Sequence, residues 1–186
     1  ELRGRGADVL AQVVDVSDRT QVRSVAEQSG EVDVVINNAG VVTGRRLLDA
    51  PDEAIERTFA VNTLAHYWVT RAFLPGMLDR NRGTVVTIAS AGGLVGVAKQ
   101  TDYSASKFAA VGFTESLRVE LKRERSRVRT LLVCPYYIDT GMFDGVRTRF
   151  PALLPILDPQ SVTTKMLDAL ETGRERLYLP WIVYTL

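Results

Sequence analysis

Residues 83–123 read GTVVTIASAGGLVGVAKQTDYSASKFAAVGFTESLRVELKR. The opening GTVVTIA is β-branched and apolar, which predicts a buried strand over Gly83–Ala89. Ser90 and the small residues Ala91-Gly92-Gly93 break that run and predict a loop. From about Asp102 to Arg123, Ala105, Phe108, Ala109, Gly112, Phe113, Leu117 and Leu121 recur at a helical period. A strand, a small-residue loop and a long amphipathic helix form the unit from which parallel sheets are assembled.

The same alternation extends in both directions. Leu10–Val16 (LAQVVDV) predicts a buried strand, and Ser17 or Asp18 then caps a helix that runs to about Gln28 and ends at Gly30. Val32–Asn37 predicts a second strand, stopped by Asn38-Ala39-Gly40. Pro51-Asp52-Glu53 opens a helix, with a proline in its first turn and acids against its dipole. Its apolar positions continue through Phe59, Leu64, Trp68 and Phe73 to Leu78, and Pro75 is expected to kink it near the end. Val128–Val133 predicts a fourth strand, Ser161–Leu170 a last helix, and Leu177–Leu179 a fifth strand. Nearly continuous apolar strands alternating with helices imply one α/β domain over residues 1–186, a parallel sheet covered by helices on both faces.

Composition narrows the function classes. In 186 residues, 46% are hydrophobic, which suffices for a packed core. Lys and Arg total 23 against 22 acids, so the chain carries no electrostatic footprint for nucleic acid. Cys134 is the single cysteine, which excludes an intrachain disulfide and a cysteine-based zinc site and suits a reducing compartment such as the cytoplasm. No apolar run reaches the roughly 18 residues needed to span a bilayer. His66 is the single histidine, so a Ser-His-Asp arrangement is not supported, and no acidic or histidine cluster has metal-ligand spacing.

In open parallel sheets, ligands bind beyond the carboxyl ends of the strands. At those ends stand Asp15 and Val16, then Asn38, Ala39 and Gly40, then Ser90, then Pro135 with Ile138 and Thr140. Tyr103 and Lys107 are four residues apart and share a helix face. A phenol titrates near 10, about three units too high for acid–base work at neutral pH. A neighbouring ammonium lowers it. Asn37-Asn38-Ala39-Gly40 reads as a small-residue floor that lets a flat ligand approach the backbone, with a strand-ending turn as the alternative.

The order NNAG, Asn62 in VNTLA, Ser90 in IAS and YSASK at Tyr103–Lys107 closely resembles the short-chain dehydrogenase/reductases. Ser90 precedes Tyr103 by 13 residues, the usual family spacing. The resemblance implies a Rossmann-like doubly wound parallel sheet and NAD or NADP as cofactor. It implies Asn62, Ser90, Tyr103 and Lys107 as the catalytic tetrad. Tyr103 would exchange a proton with the substrate oxygen, and Ser90 would donate to that oxygen. Lys107 would lower the Tyr103 pKa and hold the nicotinamide ribose, while Asn62 would anchor a water linking Lys107 to solvent. Asp15 and Val16 would lie against the adenine, and Pro135, Ile138 and Thr140 would clasp the nicotinamide. Tyr136 stands where the family usually has Gly.

The family's first strand and its Gly-x-x-x-Gly-x-Gly phosphate turn would precede Glu1. The chain is therefore expected to be the C-terminal three-quarters of such a domain, lacking the first βαβ unit and inactive alone. Asp139-Thr140-Gly141-Met142-Phe143 and LLPILDPQSV are similar to the retinol and 17β-hydroxysteroid dehydrogenase branch. That branch implies a small hydrophobic primary or secondary alcohol or ketone as substrate, with peripheral membrane contact through the apolar LYLPWIVYTL end. An apolar lid over the substrate is expected from Gly141–Pro159, and a homodimer or homotetramer through the two long helices, with Trp68, Phe73, Phe113 and Leu117 as the contact. The alternatives are a non-catalytic remnant serving only packing and self-association, and a sugar-nucleotide epimerase, disfavoured by NNAG and the short C-terminal region.

Overall fold

The computed structural model describes residues 3–142, 145, 148 and 150–185. Four strands form one sheet, all parallel, in the order β1 (Val34–Asn37), β2 (Thr84–Ile88), β3 (Arg129–Pro135), β4 (Arg176–Leu179). Parallel neighbours require crossovers, and helices supply them. Helix α1 (Arg19–Ser29) precedes β1. Between β1 and β2 run α2 (Asp52–Phe59) and α3 (Ala65–Asp79), joined by a π-helical turn at Ala60–Leu64. Helix α4 (Thr101–Arg123) joins β2 to β3, and α5 (Pro159–Glu171) joins β3 to β4.

Local chemistry sets the helix ends. The Asp18 carboxylate accepts from the backbone N–H groups of Thr20 and Gln21, and Gly30 closes α1 at φ 64°. Asp158 caps α5 through the Ser161 N–H, with Pro159 in the first turn. Helix α3 runs on through Pro75 to Asp79.

Both sheet faces are covered. On one, Val35 and Val85 pack with Met77 of α3 and Leu117 and Leu121 of α4. On the other, Val86, Leu131 and Val133 meet Ala169 of α5 and Leu177 and Leu179. Burying a Leu or Val side chain contributes about 1.5–3 kcal/mol, so these two layers hold α3, α4 and α5 against the strands. The strand ends near the carboxyl edge are thereby fixed to rigid elements.

One predicted strand is absent. Residues 7–15 are irregular, and Leu10 and Val13 are exposed. A strand needs a ladder partner; β1 pairs only with β2 here, and Val34 and Ile36 on it are exposed. The segment is tied instead to α1, by Gln12 Nε2 donating to Gln28 Oε1 (3.1 Å) and the Asp15 N–H donating to Gln21 Oε1 (3.1 Å). The predicted long helix from Pro51 is also interrupted, by the π-turn.

The four side chains expected at the assembly contact have partners within the chain. Leu117 is buried in the core, Phe73 and Phe113 pack against that core, and the Arg19 guanidinium lies 4.0 Å from the centre of the Trp68 ring. Among the described residues, the large apolar side chains exposed on and beside the long helices are Leu64, Tyr67, Leu78, Phe108 and Val119.

Candidate active site

Strands β1, β2 and β3 end side by side, at Asn37, Ile88 and Pro135. A cleft of about 570 Å³ opens there, lined by Asn38, Gly40, Ser90, Tyr103, Lys107, Pro135, Ile138 and Thr140 among others. Eight of the sequence-predicted site residues therefore meet in one place.

Ser90 leaves β2 and caps a short turn: its Oγ accepts from the Gly92 N–H (3.0 Å). It also hydrogen-bonds the Tyr103 side chain. Tyr103 lies one turn before Lys107 on α4 and is almost wholly buried. Lys107 is buried too; its Nζ donates to the Ile88 carbonyl (2.8 Å) and sits 5.7 Å from the centre of the Tyr103 ring.

Asn62 is fully buried in the π-turn and clasps Val41 from both sides. Its Oδ1 accepts from the Val41 N–H (2.8 Å), and its Nδ2 donates to the Val41 carbonyl (2.9 Å) and to Ser106 Oγ (3.0 Å). The Ser106 hydroxyl donates in turn to the Tyr103 carbonyl (2.7 Å). Gly40 is thereby drawn against the site: a Cβ there would stand 3.5 Å from Asn62 Oδ1 and 3.7 Å from Lys107 Nζ. π-turns recur at functional sites because they re-aim side chains within a helix.

Electrostatics differ from the sequence expectation. Burial pushes the Lys107 ammonium down to about 8. Burial also pushes the Tyr103 phenol above its ordinary value, the Ser90 hydrogen bond pulls it back, and the nearby Tyr137 phenol pushes it up again. The Lys107 charge does not set the direction, because burial disfavours both charged forms. His66, lining a neighbouring apolar cavity, is pushed down to about 4 by burial and then by Lys107. The Cys134 thiol is driven up to about 12 by burial, so it is a packed thiol and not a nucleophile.

Asp15, Val16 and Ala39 stand apart from this cleft. Val16 and Ala39 line the second cavity, of about 220 Å³, together with Asn38. Asp15 is exposed, and its carboxylate turns locally onto the Ser17 N–H (2.9 Å) and hydroxyl (2.7 Å). It lines neither cavity, because the strand expected to carry it does not form.

The segment expected to form a lid is described only in part. Met142 and Leu154 line the cleft, while Phe150, Leu153 and Ile156 are exposed. Leu157 packs on the core beside α5. Phe143 and Val146 lie outside the described residues. At the chain's end Trp181 and Tyr184 are exposed while Val183 is buried. Among the described residues, no helix is long and apolar enough to cross a membrane.

Several residues of the site escaped sequence reasoning. Thr43, at 2.8 and 2.9 Å, and Thr58, at 2.9 Å, bring their hydroxyls to the buried Asp102 carboxylate. Asp102 resembles an ordinary dipole-favoured first-turn acid, so its sequence position carries no signal of burial. Tyr137 and Gln100 also line the cleft, and their side chains are hydrogen-bonded to each other.

The profile of the family described as short chain dehydrogenase matches residues 1–149. The chain belongs to the short-chain dehydrogenase family. Within the family its similarity is to retinol dehydrogenases. Epidermal retinol dehydrogenase 2 of Mus musculus is 47% identical over 183 residues, covering 96% of this chain and 59% of that protein. Retinol dehydrogenase 10-A of Danio rerio is 48% identical over 183 residues, covering 95% of this chain and 54% of that protein. The chain thus spans little more than half the length of these relatives.

Solved short-chain dehydrogenase structures share the fold. One from Burkholderia phymatum, in complex with NAD, matches with a TM-score of 0.86 at 27% identity, covering 99% of this chain and 75% of that one. Another from Burkholderia cenocepacia, in complex with NADP, gives 0.83 at 30% identity, covering 95% and 74%.

Proposed function

We propose that this short-chain dehydrogenase interconverts a hydrophobic alcohol and its carbonyl compound, with NAD or NADP as cofactor. One observation carries the reading: Ser90, Tyr103 and Lys107 line a single cleft at the ends of parallel strands, with Ser90 hydrogen-bonded to Tyr103. NAD- and NADP-bound relatives of the same fold and a retinol-dehydrogenase similarity support it.

The residues present fit the nicotinamide end of such a cofactor. Gly40 leaves an open floor beside Lys107 Nζ. One of the three Lys107 N–H donors goes to Ile88, and the others can hold ribose hydroxyls. Asn38, Pro135, Ile138 and Thr140 bound the same space. Among the described residues, no strand leads into a Gly-x-x-x-Gly-x-Gly turn at a helix N-terminus, so the diphosphate finds no such cradle here. Val16 and Asp15 belong to the adenine end in this reading. When bound, the nicotinamide supplies the hydride acceptor or donor.

The chain's own residues do the rest. Tyr103 passes a proton to, or takes one from, the substrate oxygen. The Ser90 hydroxyl holds that oxygen and orients the phenol. Asn62 fixes Gly40–Val41 and, through Ser106, the carbonyl of Tyr103, which keeps floor and acid in register. Ile88, Val95, Val97, Met142 and Leu154 make most of the cleft wall apolar, which suits a retinoid, steroid or long-chain substrate.

The test is turnover by the full-length protein with retinol, a long-chain alcohol and a small polar alcohol, with each dinucleotide. Tyr103→Phe keeps the ring and removes the acid, so kcat falls by about 10²–10⁴. Near-normal turnover in that variant, or a clear preference for the small polar alcohol, overturns the reading. Self-association belongs to the same proposal. Leu64, Tyr67 and Phe108 are apolar side chains that a symmetric contact would cover, and sedimentation of a strict monomer at micromolar concentration removes it.

A further inference from the structure

Besides Tyr103, two phenols that the proposed chemistry does not use line the cleft, Tyr136 and Tyr137. Tyr137 lines the same walls as Tyr103. It is fixed in three ways. Its carbonyl accepts from the Leu157 N–H (2.8 Å), while the Asp139 N–H donates to the Leu157 carbonyl (3.0 Å), so the segment forms a short parallel bridge. Its ring packs edge-on against Tyr136, centroids 4.7 Å apart at 68°, and the Tyr136 N–H is itself anchored on the Leu179 carbonyl (2.7 Å). Its hydroxyl is hydrogen-bonded to the side chain of Gln100, a buried residue at the start of α4.

A ring fixed through its backbone, its face and its hydroxyl yields little to a ligand. The substrate oxygen must reach Tyr103 and Ser90. The Tyr137 phenol is near enough to act electrostatically on the Tyr103 phenol, which puts it on the side of the cleft where groups on the reacting carbon have to be housed in this reading. An alcohol carbon with one substituent leaves that side nearly empty, whereas a carbon with two bulky substituents has to push one of them toward a wall.

Resting on the reading of the cleft as a dehydrogenase site, we propose that Tyr137 is a specificity-determining residue. Its ring, held by Gln100, limits the room beside the reacting carbon and favours primary alcohols and aldehydes over bulky secondary alcohols and ketones. Gln100 is the positioning residue that keeps the ring in place.

The experiment uses the full-length protein and two probes, a long-chain primary alcohol and a polycyclic secondary alcohol. Discrimination is measured twice: as a ratio of kcat/KM, and as a ratio of dissociation constants from displacement of the fluorescent dye anilinonaphthalene sulfonate, which needs no turnover. Wild type is expected to favour the primary alcohol in both. Tyr137→Ala shifts both ratios toward the secondary alcohol by about tenfold or more. Gln100→Leu shifts them part of the way by loosening the ring, and Tyr137→Phe behaves like Gln100→Leu because it removes the same bond. Should Tyr137→Ala fail to fold, Tyr137→Leu removes the ring at closer volume and is expected to shift the ratios the same way. Unchanged ratios in a folded Tyr137 variant that lacks the ring, or a wild-type preference for the secondary alcohol, overturn the assignment. Tyr103→Phe separates the two proposals: turnover surviving in it refutes the dehydrogenase reading, while the binding ratios still judge Tyr137.

Discussion

Replacing Gly93 with alanine puts a methyl group into the seam between the loop after β2 and helix α4. A Cβ at Gly93 would stand 2.6 Å from the Lys107 carbonyl oxygen, 2.8 Å from its carbonyl carbon and 3.2 Å from its Cβ. The first two atoms are helix backbone and cannot swing aside. Non-bonded heavy atoms settle near ~3.5 Å, so loop and helix must part by roughly 0.5–1 Å. Overpacking of this kind costs about 1–3 kcal/mol. For a domain of this size each kcal/mol lowers Tm by about 2–4 °C, so the expected fall is roughly 2–12 °C. The larger effect is geometric. The Gly93 N–H closes a turn on the Ser90 carbonyl (2.9 Å), so the displacement passes directly to the hydroxyl that orients Tyr103. A 1 Å error at a reacting centre costs about 10²-fold, and kcat/KM should fall by roughly 10–100-fold. Gly96→Ala is the control, since a Cβ there meets nothing within 4 Å. Circular-dichroism melts and steady-state kinetics of the two full-length variants decide the matter. A Gly93→Ala enzyme that matches Gly96→Ala in both Tm and kcat/KM would refute the close packing of this loop on Lys107 as the basis of the site.

The remaining predictions follow from burial and charge. Both His66 nitrogens are buried without a hydrogen-bond partner, and the ring is held down to about 4; the unfolded chain therefore binds more protons than the folded one between about pH 4 and the ordinary histidine value, and stability is lost as pH falls through that window. His66→Leu should flatten that acid arm in urea titrations, and an unchanged slope would count against it. Lys107, held down to about 8, makes the folded state gain stability as pH rises from about 8 toward the ordinary lysine value, because the unfolded chain carries the extra proton there; Lys107→Met should lose that rise. The 186-residue chain should bind NAD and NADP more weakly than micromolar in fluorescence titrations, for want of a diphosphate cradle among its described residues, and micromolar affinity would contradict that account.

How far the sequence could be read depended on whether an element was specified locally. Helix α1 was legible from Asp18 and Gly30, because caps act within one turn of the backbone they satisfy. Strands β2 and β3 were legible because their apolar runs are almost wholly buried, and β1 and β4 because alternate residues of theirs are. LAQVVDV has a similar composition, yet among the described residues it joins no strand of the sheet, and no local pattern reports whether a ladder partner is at hand. The π-turn at Ala60–Leu64 was invisible for a related reason: the partners that Asn62 reaches from it, Val41 and Ser106, lie far away in sequence. Tyr103 and Lys107 could be paired from spacing alone. Whether the ammonium or the burial governs the phenol could not, since burial is a property of the packed cleft.

The polar groups that join α4 to α2, the π-turn and the loop after β1 have a structural consequence beyond their own hydrogen bonds. Thr43 and Thr58 reach Asp102, Asn62 reaches Ser106, and the Thr63 hydroxyl donates to the Ser106 carbonyl (3.2 Å). Apolar side chains of similar volume would pack this seam without the desolvation cost that buried polar groups carry. They would also specify the register of α4 less sharply, because apolar packing is non-directional and can be remade after a slide. A slide by one residue moves α4 by about 1.5 Å and turns it by about 100°, which would carry Tyr103 off Ser90 and Lys107 off the Ile88 carbonyl together. Directional bonds at Asp102 and Ser106, immediately beside Tyr103 and Lys107, admit only one register. The seam gives up some stability relative to an apolar one, and in return the acid, its hydroxyl partner and the ammonium stay on the same side of the cleft.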